Sequence, residues 1–365
     1  MAFIWATLVV IFVVYTLLNN IQNRKRYPPG PKGLPIIGHL HLLGKNPHKD
    51  LQKLANTHGP FMYVRLGLVP TIIVSSAGAA EKVLKTYDHI FASRPHMEAS
   101  YYLAYEQKNL ISAKHGPYWR NMRKLCTQHL LSNQKINSFQ SMRREQVELM
   151  IKSLKNDDRV VFDVSAKISS LSADLTCMMV FGKKYMDEDL DKRGFKAVVK
   201  EVEHLSATPN LGDFFPFLGV IDLQGLTRRL KDLAKVFDEF LEKMIDEHVQ
   251  SRDQKQSKDF VDIMDPNIWP EPENFFPERF VGSSIDMRGR DFQLLPFGSG
   301  RRSCPAMPLG IIIVHLVVAQ LVHCFDWELP NGMEPCDLDV EEHFGLATSR
   351  ANPLMAIPTY RLNNA

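Results

Sequence analysis

Pro296-Phe297-Gly298-Ser299-Gly300-Arg301-Arg302-Ser303-Cys304-Pro305-Ala306-Met307-Pro308-Leu309-Gly310 is the stretch on which the reading of this chain turns. Gly298 and Gly300 let the backbone turn tightly and come close to something flat. Arg301 and Arg302 set fixed positive charge beside that turn. Cys304 stands just before the apolar run Leu309 to Phe325, where a helix start offers unpaired N–H groups and a positive dipole end. Both favour a thiolate. A sheltered thiolate is either a nucleophile or a metal ligand. A nucleophile needs a histidine base within reach, and nothing in the pattern selects one of His115, His315 and His323. For zinc, Cys304, His315, His323 and Cys324 have no recognised ligand spacing.

Downstream of the loop, Leu309 to Phe325 is apolar on almost every side. His315, Gln320 and His323 interrupt it and no basic flank follows closely, so it reads as a fully buried core helix and not a second membrane span. Pro353 to Pro358 suggests a final β element. Upstream, Asp265 to Ser303 contains Pro266, Pro270, Pro272, Pro277 and Pro296, which leave no room for a useful helix. Before that block, Leu226, Leu230, Leu233, Phe237, Phe240, Leu241, Met244 and Ile245 recur at spacings of three and four, which predicts one amphipathic helix. From Ala79 to about Ser206 the chain reads mainly helical, with breaks near Arg94-Pro95, Gly116-Pro117 and Asn156-Asp157. A short helix is expected over Leu51 to Asn56. Strand-like runs Phe61 to Leu66 and Thr71 to Ser75 flank Val69-Pro70, a hairpin signal.

At the N-terminal end, Ala2 to Leu18 carries no charge. Seventeen helical residues rise about 26 Å, near the lower limit for a bilayer core. No basic stretch precedes the run and no small-x-small cleavage site follows it, which favours an uncleaved anchor (residues 1–23) over a signal peptide. Arg24, Lys25 and Arg26 then place the body in the cytosol by the positive-inside rule. A basic and Pro-rich hinge, residues 24–38, includes Tyr27-Pro28-Pro29-Gly30-Pro31-Lys32-Gly33-Leu34-Pro35 and reads as a stiff spacer before a body spanning 39–365. With 365 residues, 45% of them hydrophobic and 23% charged, the chain is long and apolar enough for a large core, and wholesale disorder is excluded. A net charge of +3 gives no reason to expect a nucleic-acid partner. Five cysteines, without a CxxC pair or a glycosylation sequon, agree with a cytosolic body.

With these features in hand, Phe297-x-x-Gly300-x-Arg302-x-Cys304 resembles the haem-ligand loop of the cytochrome P-450 family. Other segments agree. Trp119-x-x-x-Arg123 looks like the family's pair at a haem propionate, and Pro277-Glu278-Arg279-Phe280 like its segment upstream of the cysteine loop. Leu346 and its neighbours are similar to the C-terminal turn bordering the substrate pocket. The anchor and hinge resemble the microsomal members, particularly those of plants. The resemblance implies a mainly α fold with small β-sheets and haem b held by the Cys304 thiolate. It also implies propionate contacts from Trp119, Arg123 and Arg302, in a loop shaped by Phe297 and Gly300. The implied activity is a haem-thiolate monooxygenase at the endoplasmic reticulum membrane. It would insert one oxygen atom of O₂ into a small lipophilic molecule, with electrons from NADPH-cytochrome reductase.

Measured against that family, two pieces are missing. The distal acid–alcohol pair has no counterpart: Asp174-Leu175-Thr176 is the only Asp-x-Thr on a helix-like segment, and it matches an earlier, structural helix. No glutamate has an arginine three residues on, so the E-x-x-R pair is absent too. Asp259 to Met264 runs straight into Asp265-Pro266, which places an apparent deletion junction near 264–266 and makes the expected fold incomplete. A second function of a different class therefore stands beside the monooxygenase: an inactive relative that at most binds haem or a hydrophobic ligand.

Overall fold

The computed structural model describes residues 27–156, 159–184, 195–250, 285 and 287–362. The anchor, the junction at 264–266 and Pro277 to Phe280 lie outside the described residues. Among the described residues the chain is mainly helical with three small sheets, and it divides into two compact units. One comprises the described residues up to Phe91 together with Pro209–Thr227; the other comprises Ala92–Thr208 and those from Arg228 on.

In the first unit, helix α1 (Pro47–His58) starts on Pro47, whose missing N–H is no loss there, and stops at Gly59. It is longer at both ends than the expected Leu51 to Asn56. Ala55, Leu51 and Leu54 pack against Met62 and Val64 of strand β1 (Phe61–Leu66). β1 pairs antiparallel with β2 (Val69–Val74) around Gly67-Leu68. Gly67 lies at φ +61°, and a Cβ there would come within 2.7 Å of the Phe214 carbonyl oxygen, so this turn requires glycine. Val69-Pro70, expected in the turn, belongs to β2. Arg65, opposite Pro70, directs its own N–H and C=O to His39 and asks no donor of the proline. The described part of the hinge lies along β1: Tyr27 stacks on Tyr63 at 4.3 Å, and the Tyr63 N–H donates to the Pro29 carbonyl at 2.9 Å.

The second unit holds helices α2 (Pro117–Leu125), α3 (Gln140–Asn156), α4 (Val164–Phe181), α5 (Phe195–Ala207), α6 (Leu226–Gln250) and α7 (Met307–Cys324). Strand β3 (Phe162–Asp163) precedes α4 and β4 (Phe325–Glu328) follows α7. Both pair antiparallel with the terminal strand β5 (Met355–Tyr360). Helix α4 is bounded as its sequence dictates. The Asp163 carboxylate accepts the Ala166 N–H at 2.8 Å, and Gly182, at φ +76°, returns its N–H to Met178. The core sits where α3, α4 and α7 meet, around Val147, Leu154, Leu175, Leu309, Ile313 and Phe325. The amphipathic α6 buries Leu230, Leu233 and Phe240 as its spacing predicts.

Helix α7 corrects one expectation. It is not buried all round: Leu309, Ile313, Val317 and Cys324 face the core, but Ile312, Val314, Val318 and Val322 are exposed. The only polar contrast in the run is His315, Gln320 and His323, and both histidines lie exposed, so they were the one sequence signal for an open side.

Candidate haem-thiolate site

The site is built within the second unit from two distant pieces of chain. The first is the loop closed by a backbone bond from the Cys304 N–H to the Phe297 carbonyl at 2.8 Å. Gly298 and Gly300 take φ of +65° and +66°, the left-handed conformation in which glycine lets the backbone turn tightly. A single 3₁₀ turn, Gly300–Arg302, brings Arg302 inward while Arg301 stays exposed. Phe297 is buried, and Cys304 is half-buried as a free thiol two residues ahead of the α7 cap, Ala306.

The second piece is α2. Trp119 is buried and donates its indole N–H to the Leu110 carbonyl at 2.9 Å. One turn on, Arg123 donates to the Ser303 carbonyl at 2.8 Å and to the Ser303 hydroxyl at 3.3 Å, which fixes the peptide next to Cys304. Arg302 stacks on Trp119, its guanidinium carbon 4.2 Å from the ring centroid; that of Arg123 lies at 5.5 Å. Arg302 also donates to the carbonyls of Ala92 at 2.7 Å, Ala113 at 2.5 Å and Leu110 at 3.4 Å. The structure thus brings Trp119, Arg123, Arg302 and Cys304 together, with Phe297 closing the loop through its carbonyl and Gly300 starting the turn inside it.

Sequence reasoning missed Arg94. It donates to the Ile111 carbonyl at 3.3 Å, and its charge helps depress the Arg302 pKa. Its only signal was the Arg-Pro dipeptide, read as a helix break. Burial lowers the pKa of both Arg123 and Arg302. For Arg302 the fields of Arg94 and Arg123 add to the effect, whereas for Arg123 the field of Cys304 opposes it. No carboxylate among the described residues pairs with any of these guanidiniums. Three cations held close together and bonded, among the described residues, to carbonyls and a hydroxyl have the chemistry to receive an anionic group. A flat cofactor with an acidic edge and a thiolate-bound metal has the donor set this cluster fits.

Asp174 and Thr176 play no part in it. Asp174 pairs with Lys184 at 2.9 Å, and the Thr176 hydroxyl donates to the Ser172 carbonyl within α4, a structural role as expected. His315 and His323 are exposed on α7, and the described residues contain no cluster of His, Cys, Asp and Glu able to hold a metal ion.

The family model described as Cytochrome P450 matches residues 28–264 and 263–355. The chain belongs to the cytochrome P450 family. Among its relatives, it is 37% identical to Cytochrome P450 CYP736A12 of Panax ginseng over an alignment of 485 positions, spanning 96% of each chain. It is 29% identical to Cytochrome P450 736A117 of Prunus mume, across 96% of this chain and 93% of the relative. Against Cytochrome P450 71A25 of Arabidopsis thaliana the identity is 28%, across 96% and 97%. Membership makes this P450 a haem-thiolate monooxygenase by class, and haem b is the cofactor that members of the family bind.

Proposed function

We propose that Cys304 is the axial ligand of haem iron in this P450 and that Trp119, Arg123 and Arg302 hold the propionate edge. The observation that carries the reading is the Arg123 contact to Ser303, which ties the helix bearing the Trp/Arg pair to the residue beside the thiol. Haem, when bound, supplies the iron at which O₂ is reduced so that one oxygen atom enters the substrate. The rest falls to the chain's own side chains. Arg123 and Arg302 present fixed donors to carboxylates, Trp119 gives Arg302 an apolar wall, and Gly298 and Gly300 keep the loop free of side chains facing a flat ligand. Phe297 and Ala306 close the loop with buried apolar groups. The substrate is a small lipophilic molecule, and NADPH-cytochrome reductase supplies electrons.

The protein works at the endoplasmic reticulum membrane, anchored by residues 1–23, with residues 24–38 leading to a cytosolic body. Support for lipid contact comes from the first unit, where Ile36, Leu68, Phe217, Val220, Ile221 and Leu223 are all exposed. The Leu68 N–H donates to the Phe214 carbonyl and the Gly67 N–H to the Ile37 carbonyl, so the segments bearing these residues are stitched together. The junction near 264–266 draws support from the two-piece family match, which breaks at 263–264. It draws more from the ginseng alignment: 485 positions against 365 residues leave at least 120 (485 − 365) without a residue from this chain.

The test is the spectrum of the reduced, carbon-monoxide-bound protein. A red-shifted Soret band of a thiolate ligand is expected, abolished by Cys304→Ala and kept by His315→Ala. An unchanged band in Cys304→Ala would overturn the assignment.

A further inference from the structure

Four successive carbonyls just ahead of α2 accept side-chain donors. Trp119 and Arg302 share the Leu110 carbonyl, Arg94 takes that of Ile111, and Arg302 takes that of Ala113. The fourth, Ser112, accepts the side-chain amide of Gln107 at 3.2 Å. Asn109 holds the run from within, its side-chain oxygen accepting the N–H and the hydroxyl of Ser112 at 2.7 and 2.6 Å. A facing stretch, 92–95, gives the Ala92 carbonyl to Arg302 at 2.7 Å and the Pro95 carbonyl to Gln107 at 2.9 Å. Arg302, Arg94 and Gln107 therefore all cross-link 92–95 to 110–113.

The three links differ in what an arriving anion does to them. Arg302 and Arg94 carry charge, so a carboxylate draws their donors away from the backbone. Gln107 is neutral and only 8% exposed, and its amide nitrogen is already committed to two carbonyls. It keeps the two stretches together while the arginines turn to a ligand. Gln107 also ends a run of three residues at positive φ, Tyr105 at +47°, Glu106 at +59° and Gln107 at +61°. That backbone is unfavourable for any residue with a Cβ, and it persists where surrounding bonds over-determine it. The two carbonyl bonds of Gln107 are such a constraint.

We propose that Gln107 is a positioning residue for the haem edge: it fixes the 110–113 carbonyls against 92–95, and these carbonyls aim Arg302 and Trp119. The proposal rests on the reading that Trp119, Arg123 and Arg302 hold the propionates. Arg123 stands outside this frame, because its donors go to Ser303.

The test is a cycle of variants read by haem transfer to apomyoglobin. Gln107→Met keeps the length of the side chain and removes its donors. Haem loss should then quicken about fivefold, the scale of one hydrogen bond's net contribution. In an Arg123→Lys background the same substitution should give the same factor. In an Arg302→Lys background, where the aim is already lost, it should add less than about twofold. If Gln107→Met does not fold, Gln107→Asn, with its amide one carbon short, enters the same cycle. A general loosening of the fold would speed haem loss alike in both backgrounds. Equal factors there, or an unchanged rate in the single variant, overturn the proposal and leave the propionate reading standing. A parent chain that takes up no haem, or an Arg302→Lys chain that loses it no faster than the parent, overturns the propionate reading and the proposal with it.

Discussion

Six residues separate Arg302 from Leu309, and the two belong to regions built on opposite principles. Around Leu309, the core of α3, α4 and α7 contains aliphatic side chains in mutual contact, with Leu309, Leu175 and Phe325 fully buried. Around Arg302, like charges gather on one tryptophan; burial opposes the ionised state of both Arg302 and Arg123, and neighbouring cations add to this for Arg302. The core stabilises the fold through area removed from water. The cluster holds its donors on carbonyls from three separate stretches, around Ala92, Leu110 to Ala113 and Ser303. The cluster has the less favourable local energetics, and the adjoining core makes this tolerable.

The comparison is open to attack from both sides. Leu309→Ala should have the largest effect, about 2–5 kcal/mol of lost stability in urea unfolding, because its neighbours can collapse only partly into the gap. A cost below about 1 kcal/mol would mean the core is not close-packed there. Arg302→Lys should move the unfolding midpoint much less but weaken haem retention roughly tenfold, because an ammonium cannot reproduce the planar fork or the stacking on Trp119. The measurement is haem transfer to apomyoglobin, and equal stability losses in Arg302→Lys and Leu309→Ala would erase the distinction.

Asp339 marks the small end of the scale, outside both regions. Its pKa is lowered first by the Asn352 side chain, then by the Glu341 N–H and the Arg350 charge. A carboxyl whose folded pKa lies below its unfolded value of about 3.9 stabilises the fold above that pH and loses the contribution as pH falls through the folded value. Asp339→Asn should therefore slightly lower stability near neutrality and match the parent at the acid end. A difference that grows toward low pH would contradict the sign. The group is solvent-exposed, so the effect should be the weakest of the three.

Much of the site was legible because its signals are local. Two glycines, an arginine and a cysteine at fixed spacing specify a turn whose geometry needs no distant partner, and the structure has both glycines at positive φ. Trp119 and Arg123 share a helix face because they are one turn apart. Arg94 was not legible. Its place depends on Arg302 reaching the carbonyl of Ala92, 210 residues away in sequence, and no pattern around residue 94 encodes that approach. Pro70 was misplaced for a related reason: its tolerance in β2 comes from the bonds Arg65 makes to His39.

By itself, the sequence determined that residues 296–310 make a thiol-bearing loop, that the chain is mainly helical, and that it belongs to a haem-thiolate family. These follow from short-range geometry and periodicity, which contrasts between neighbouring side chains report directly. Only the tertiary structure decided that the guanidiniums of Arg123 and Arg302 converge on Trp119 and that, among the described residues, α7 is covered on one face alone. Both depend on which distant surface is present to meet a given side chain, and a run broken only by His315, Gln320 and His323 says little about where its neighbour lies.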